Sequence, residues 1–186
     1  MLVGFVIAAL ATVLIALVNF RTAQVRSHAV EAMDETTVTM RHLNLFVSSL
    51  KDAETGQRGY LLTGDDTYLQ PYNLSLGAME RNMARLKELT DDSAVQRRLV
   101  LQIDDLRHEK LRELGETIEL RRSKGQEAAV AVTRSDAGRV LMDRIRDLAS
   151  DLSTLLNQQL ENERKQWVEA AAMSTCIGPS VTPTAR

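Results

Sequence analysis

No proline interrupts the chain between Pro71 and Pro179, and apolar residues in this stretch recur at steps of three and four. That spacing is typical of α-helices that bury one face, because about 3.6 residues complete a helical turn. No segment shows the sustained alternation of apolar and polar residues that a half-buried strand requires. The sequence therefore predicts an all-α protein.

Four long segments carry the helical pattern. The first has its predicted buried seam at Leu43, Phe46, Leu50, Ala53, Gln57 and Tyr60. The second is expected from about Tyr68 to Leu89 with Leu74 in its seam, and the third from Asp91 to Gly125, with Val95 in its seam. A short helical turn at 126–133 precedes the last segment, 138–172. Amphipathic helices with short links bury their stripes against each other, so we expect an elongated antiparallel four-helix bundle.

The first twenty residues carry no charge. No Asp, Glu, Lys or Arg precedes Arg21, and only Thr12 and Asn19 are polar between Leu2 and Phe20. A helix of that length spans roughly 28 Å, which is close to the thickness of a bilayer's hydrocarbon core. A cleaved secretory signal would need a basic start and a small-residue cleavage site, which this segment lacks. We therefore expect residues 1–20 to form a transmembrane helix that continues into the bundle.

The charges divide the remaining chain. Residues 21–169 hold 22 of the 23 basic residues and all 25 acidic ones, so residues 21–170 form the predicted bundle domain. Residues 171–186 contain Pro179 and Pro183 and no helical pattern, which predicts a disordered tail. Arg21 and Arg26 follow the apolar segment, and the positive-inside rule alone would place the bundle in the cytoplasm.

Composition excludes several classes of function. A net charge of −2 argues against a nucleic-acid partner, and the single cysteine, Cys176, cannot form an intramolecular disulfide. No nucleophile and base pair, phosphate-binding loop or metal-ligand spacing stands out, so no catalytic residue, metal ion or cofactor is expected. His108 is interpreted as a solvated helical residue, and the pair Arg121-Arg122 as a solvated face. The chain is not expected to be an enzyme.

One segment departs from the amphipathic pattern. Residues 52–72 read DAETGQRGYLLTGDDTYLQPY, with Gly56 and Gly59 inside a helical stretch. Each glycine costs about 1 kcal/mol there relative to alanine, so we interpret them as points of close approach. Glu54 and Arg58 are four residues apart and are expected to pair, whereas Gln57 lies on the seam and needs a buried partner.

The same segment predicts a helix corner. Thr63, Gly64, Asp65 and Asp66 form a predicted turn, in which an acid caps the following helix. Every tyrosine of the chain falls in the segment, at Tyr60, Tyr68 and Tyr72. Tyr60 is expected to offer ring packing and a hydroxyl to a facing helix, and Pro71 limits how the second helix begins.

This string resembles the signature of the third class of CHASE domains, the extracellular sensory modules of bacterial histidine kinases, cyclases and chemoreceptors. The matching residues are Asp52, Glu54, Gly56, Arg58, Gly59, Tyr60, Leu61, Leu62, Thr63, Gly64, Asp65, Tyr68, Leu69, Pro71 and Tyr72. Weaker similarity extends the resemblance to roughly residues 30–165. It implies an all-helical, usually dimeric input domain anchored in the plasma membrane. It also implies that residues 21–170 lie on the extracytoplasmic side, against the arginine count.

We therefore expect a membrane-anchored sensory input domain for signal transduction in a two-component system, with a small extracytoplasmic ligand or a protein as partner. Members of the family continue into a second membrane helix and an output domain, so a truncated sensor kinase or receptor is expected, or else a stand-alone sensor. The alternative is a non-signalling, membrane-anchored helical oligomerisation protein. The residues expected at a ligand or at the helix corner are Asp52, Glu54, Gly56, Gln57, Arg58, Gly59, Tyr60, Thr63, Gly64, Asp65, Tyr68, Pro71 and Tyr72.

Overall fold

The computed structural model describes the backbone of residues 2–133 and 135–176, and side chains outside positions 1–3, 8, 11, 19, 22–32, 134 and 170–186. The described residues contain helices and no strand, which confirms the all-α prediction. A 3-10 turn, Asp66–Leu69, follows the first helix. The α-helices are α1 (Leu2–Thr63), α2 (Gln70–Leu89), α3 (Ala94–Lys124), α4 (Gln126–Thr133) and α5 (Ala137–Cys176).

The chain divides into two compact units, of which the first comprises Met1–Thr36 and Gln158–Arg186. In this unit the Thr36 hydroxyl donates to both carboxylate oxygens of Glu163 at 3.3 Å. Apolar side chains of α1, including Phe5 and Phe20, are exposed. No helix in the described part of the chain is long and apolar enough to cross a membrane, and the expected transmembrane helix is therefore not confirmed.

The second unit, Thr37–Asn157, contains a four-helix core. His42 of α1 faces Asn82 of α2, with 2.9 Å between Nδ1 and Oδ1, whereas Gly56 lies against Tyr72. The two helices are therefore antiparallel. The fully or nearly fully buried apolar side chains are contributed by α1 (Leu43, Phe46, Leu50, Ala53), α2 (Met79, Met83, Leu86), α3 (Val100, Ile103, Leu106, Leu114) and α5 (Met142, Ile145, Ala149, Leu152, Leu156).

Two further sets of contacts fix the directions of α3 and α5. Glu54 and Gln57 of α1 contact Lys110 and Thr117 of α3 in the same order, so these helices are parallel. Lys110 also reaches the carbonyl of Gly138 at the start of α5. The later α5 residues Arg144 and Asp147 line a cavity with the earlier α3 residue Gln102, so α5 is antiparallel to α3. Within this unit the predicted antiparallel four-helix arrangement is confirmed.

The predicted seams are confirmed for α1 and wrong at two positions elsewhere. All six α1 residues, from Leu43 to Tyr60, are buried. Leu74 of α2 is 69% exposed, because the helix begins at Gln70 and turns Ser75 and Met79 inward instead. Val95 is 49% exposed because it lies in the first turn of α3, before the buried face begins at Val100.

Helix ends differ from the predicted boundaries at two places. Helix α3 begins after Ser93 rather than at the expected Asp91, and the Ser93 hydroxyl caps it by accepting from the Gln96 amide at 3.4 Å. Gly125, with φ of 85°, follows the last residue of α3 as predicted. The short helix predicted at 126–133 is confirmed as α4. Helix α5 continues to Cys176, beyond the expected helix end at residue 172, and residues 177–186 of the expected tail lie outside the described residues.

Candidate functional site

Two glycines of α1 bring the start of α2 into direct contact with its backbone. A Cβ atom added to Gly56 would lie 2.9 Å from both the Tyr68 carbonyl oxygen and the Tyr72 amide nitrogen. A Cβ atom on Gly59 would lie 2.6 Å from Cδ1 of the Tyr68 ring. Both distances are shorter than a carbon atom allows, so the close approach predicted for these glycines is confirmed.

The turn after α1 is held by local hydrogen bonds. Gly64, with φ of 74°, donates its amide to the Tyr60 carbonyl at 2.8 Å. Thr63 Oγ1 accepts from the Asp65 amide at 3.2 Å, and Asp65 Oδ1 accepts from the Thr67 amide at 2.9 Å. The bond from the Thr67 backbone lowers the pKa of Asp65 below its ordinary value. The acidic cap predicted for this turn is thus Asp65, and it caps the 3-10 turn.

Two arginines of α3 contact this corner, although the sequence placed them on a solvated face. Arg121 Nε donates to the Leu61 carbonyl at 3.0 Å, near the end of α1. Arg122 pairs with Asp66 at 3.1 Å, and its guanidinium lies 5.8 Å from the centre of the Tyr60 ring. The prediction that both arginines are solvated is therefore wrong for Arg121, which is partly buried. Arg122 is exposed as predicted, but it also contacts the corner. The Tyr60 ring packing expected against a facing helix is confirmed.

A buried group of charges lies beside the corner. Lys110 Nζ is 2.8 Å from Glu113 Oε2, 3.3 Å from Glu54 Oε1 and 3.1 Å from the Gly138 carbonyl oxygen. We call these four residues the Lys110 cluster. The Lys110 side chain is only 2% exposed, and the cluster connects α1, α3 and the first turn of α5.

Lys110 was not among the predicted site residues, although the sequence carries one signal for it. Lys110 lies seven residues after Ile103 and four before Leu114, which is a seam position of α3. A lysine at a seam position must either extend its amine to solvent or find buried partners. Pairing with two carboxylates is the solution that the fold provides here.

The partners predicted for two α1 residues are present. Arg58 Nη2 is 3.1 Å from Glu54 Oε1, which confirms the pair four residues apart. Gln57 Nε2 donates to Thr117 Oγ1 at 2.6 Å, and this is the buried partner that its amide requires. Glu54 therefore links the exposed Arg58 with the buried Lys110.

A cavity of about 400 Å³ opens beside the Lys110 cluster. Glu54 and Arg58 of α1, together with Lys110 and Glu113 of α3, contribute charged groups to its lining. Leu61, Leu62 and Val130 contribute apolar lining. Its volume lies within the range of small-molecule sites, and apolar walls with a few placed polar groups are typical of such sites.

Twelve of the thirteen predicted site residues lie at one of two places. Glu54, Gln57 and Arg58 line the cavity. The helix corner holds Gly56, Gly59, Tyr60, Thr63, Gly64, Asp65, Tyr68, Pro71 and Tyr72. Asp52 lies at neither place, and its exposed side chain makes no hydrogen bond with a described residue.

Pro71 and Tyr72 contribute to the corner in different ways. Pro71 lies in the first turn of α2, where its missing amide N–H costs no helical hydrogen bond. Its carbonyl accepts from the Ser75 hydroxyl at 2.6 Å. Tyr72 packs against both apolar clusters of the bundle, and burial raises the pKa of its phenol.

The part of the chain that the structure describes shows no metal centre. No group of three His, Cys, Asp or Glu side chains is placed to hold a metal ion among those residues. His108 is 65% exposed, with its Nε2 atom 3.8 Å from Asp104. The cavity lining offers charged and apolar groups that a ligand can contact.

The family model that matches this chain is the CHASE3 domain, over residues 29–166. The chain belongs to the CHASE3 family. A similar solved structure is the sensor domain of histidine kinase HK9 from Rhodopseudomonas palustris, with a TM-score of 0.63 and 22% identity. The match covers 68% of this chain and 98% of that chain, and it shows a shared fold. A comparison with curated proteins gives no match.

The CHASE3 match encloses the whole second unit, Thr37–Asn157. Both the helix corner and the cavity therefore belong to the CHASE3 domain itself. The resemblance found in residues 52–72 is confirmed, and in the structure these residues form the corner and one side of the cavity.

Proposed function

We propose that this CHASE3 domain is the sensory input region of a membrane-attached signal transduction protein, and that its cavity receives an extracytoplasmic stimulus. The observation that carries the proposal is the CHASE3 match over residues 29–166. The histidine kinase sensor domain of similar fold supports signal sensing as the role of this architecture.

The Lys110 cluster provides a physical route from the cavity to the helices. Glu54 belongs to α1, Lys110 to α3 and the Gly138 carbonyl to the first turn of α5, and all three line the cavity. A ligand that binds one of these three groups changes the hydrogen bonds that the other two make. Small shifts of packed helices relative to each other are a known way to transmit such a change.

The proposal is tested with a chimaera in which α5 is joined at Glu169 to the second membrane helix and kinase of a receptor with a transcriptional reporter. Lys110→Met should change the basal reporter level several-fold, because it disconnects three helices. Lys51→Met, at an exposed position of α1, should leave the reporter level unchanged. Equal output from both variants at equal protein levels would contradict a sensory role and favour a purely structural bundle.

Membrane attachment and extracytoplasmic placement belong to the same proposal. The exposed apolar side chains of α1, from Phe5 to Phe20, and the absence of charge before Arg21 support attachment through this segment. Protease treatment of intact spheroplasts tests the placement, since digestion of residues 21–170 is expected from outside. Full protection of that region would contradict extracytoplasmic placement.

We also propose that the chain is a homodimer, as the resemblance implies. Analytical ultracentrifugation of the purified chain should give twice the 20.7 kDa chain mass. A monomer at all concentrations tested would contradict the proposal.

A further inference from the structure

Two carboxylate oxygens beside the cavity have no hydrogen-bond donor among the described residues. Glu54 accepts from Lys110 and Arg58 at Oε1, and no described residue donates a hydrogen bond to its Oε2 atom. Glu113 accepts from Lys110 at Oε2 only. Glu54 is 9% exposed, and both glutamates line the cavity. A carboxylate oxygen that has no donor from the chain is available to accept a charge-assisted hydrogen bond from a ligand in that cavity.

The donors inside the Lys110 cluster are already used. Lys110 Nζ has three N–H groups, and its three acceptors are Glu54, Glu113 and the Gly138 carbonyl. It has no further hydrogen to offer to a ligand anion. The least exposed ionic groups of the cavity therefore have no free donor N–H, but their two carboxylates can still accept hydrogen bonds.

The charge of the buried groups points in the same direction. Two carboxylates, Glu54 and Glu113, face one ammonium group, Lys110, and all three side chains are at most 17% exposed. The start of α5 offsets part of the charge of Glu113, since positive potential gathers at a helix N-terminus. Arg58 is 63% exposed, so its pairing with Glu54 is largely screened by water. The other two charged lining residues, Asp136 and Arg139, are exposed and pair with each other at 3.2 Å, so they leave the count of buried charges unchanged. The surplus carboxylate among the buried groups therefore favours a cation over an anion at this place.

The remaining lining sets the shape of the ligand. Leu61 and Leu62 at the end of α1, together with Val130 of α4, face the cavity with apolar surface. The volume of about 400 Å³ accommodates a molecule much larger than an inorganic cation. Burial of a short alkyl chain there contributes about 0.8 kcal/mol for each CH₂ group.

We propose that this cavity binds a small primary amine with an apolar body, whose ammonium group donates hydrogen bonds to Glu54 and Glu113. The ammonium group of the amine supplies hydrogen-bond donors to the two carboxylate oxygens that have none, and its alkyl part packs on Leu61 and Leu62. The inference deepens the proposed function, because it names the chemical class of the stimulus for the same site.

The test is titration calorimetry of the full purified chain with three probes of similar shape. 3-Methylbutylamine carries the ammonium group, 3-methylbutanol is its neutral analogue and 4-methylpentanoate is the corresponding anion. The amine should bind at least about tenfold more tightly than either of the others, a ratio that corresponds to about 1.4 kcal/mol. No heat from the amine, or equal binding of the alcohol or the acid, would overturn the assignment.

Variants locate the binding. Glu54→Gln should weaken amine binding about tenfold or more, because a neutral amide replaces the acceptor charge. Glu116→Gln, at an exposed position of α3, is the matched control and should bind as the original chain does. Unchanged amine binding by a folded Glu54→Gln chain would place the amine elsewhere and overturn the proposal.

If circular dichroism shows that Glu54→Gln does not fold, a second pair of variants tests where the amine binds. Leu62 and Leu74 are both 69% exposed, so tryptophan is tolerated at either position, but only Leu62 lines the cavity. Leu62→Trp should weaken amine binding and Leu74→Trp should not. Equal binding by the two variants would overturn the proposal.

The chimaera separates this inference from the proposed function. An output that responds to Lys110→Met, together with no binding of the amine by the full chain, would reject the amine and keep the sensory role. Amine binding to a chain whose chimaera never changes output would keep the site and reject the sensory role.

Discussion

The Gln57 amide and the Thr117 hydroxyl form a 2.6 Å hydrogen bond between α1 and α3, sixty positions apart in the chain. Both side chains are at most 2% exposed, so water cannot replace either partner. Thr117 also donates its own hydroxyl hydrogen to backbone carbonyls of α3, which leaves its oxygen free to accept from Gln57. The bond therefore joins two parallel helices beside the cavity.

Single substitutions in this pair should each destabilise the domain, and the double substitution should cost less than their sum. Thr117→Val leaves the Gln57 amide buried without its acceptor, which costs about 1–3 kcal/mol. Gln57→Leu with Thr117→Val removes both partners together and is expected to be closer to neutral. Urea unfolding of the two single variants and the double variant measures the coupling energy. Strict additivity would show that the hydrogen bond does not connect the helices energetically.

Gly56→Ala should destabilise the chain even though alanine is the better helix former. The added Cβ atom meets two backbone atoms of Tyr68 and Tyr72 at 2.9 Å, and backbone cannot move aside as a side chain can. The matched control is Gly77→Ala on α2, where the nearest atom within reach is the Arg81 guanidinium at 3.2 Å. Gly77→Ala should stabilise by up to about 1 kcal/mol. Thermal unfolding measures both, and a stabilised Gly56→Ala chain would contradict the close approach.

The features that depend on local periodicity were predictable from the sequence. The seam from Leu43 to Tyr60 follows from spacing alone, and all of its members are buried. The need of Gln57 for a buried partner also follows from its seam position. The identity of Thr117 does not, because pairing across sixty positions depends on the register between two helices.

The features that depend on tertiary context were missed or placed wrongly. Lys110 lies at a seam position of α3, but its spacing does not reveal that Glu54 and Glu113 converge on it and make its burial tolerable. Leu74 is apolar yet exposed, because the start of α2 sets which face turns inward. In these cases the position of a second structural element decides whether the side chain is buried. For the α1 seam, the spacing within one helix is enough to predict burial.

The stability contributed by Asp104 should fall in acid. Burial alone would raise the pKa of Asp104, but hydrogen bonds and charge from Lys87 and Arg107 outweigh it and hold the pKa below its ordinary value. The carboxylate lies 2.5 Å from Lys87 Nζ and 2.7 Å from Arg107 Nε, and it is 9% exposed. Because the unfolded state takes up the proton first, this contribution is present above about pH 4 and is lost as the pH falls through the lowered pKa.

Asp104→Asn isolates this effect from the other carboxylates. The variant should be less stable than the original chain near pH 7, and the difference between their free energies of unfolding should shrink as the pH falls below about 4. Urea unfolding of both chains at a series of pH values gives the difference directly. A difference that is constant across the acid range would show that the ion pairs of Asp104 contribute nothing to stability.

Lys110→Met should be the most destabilising single substitution in the Lys110 cluster. It leaves the Glu54 and Glu113 carboxylates, which are 11% and 17% exposed, without the ammonium group between them. Removal of one member of a buried ionic group costs about 3–5 kcal/mol, since the remaining charges stay desolvated. Lys51→Met, at an exposed position of α1, should change the free energy of unfolding by no more than about 0.5 kcal/mol.

Restoring charge balance should recover part of that loss. Lys110→Met combined with Glu54→Gln and Glu113→Gln removes every formal charge of the cluster, so no uncompensated carboxylate stays buried. The triple variant should therefore be more stable than Lys110→Met alone, although it has fewer native side chains. Urea unfolding at pH 7 compares the two chains. A triple variant less stable than Lys110→Met would show that the carboxylates contribute through packing rather than through their charge.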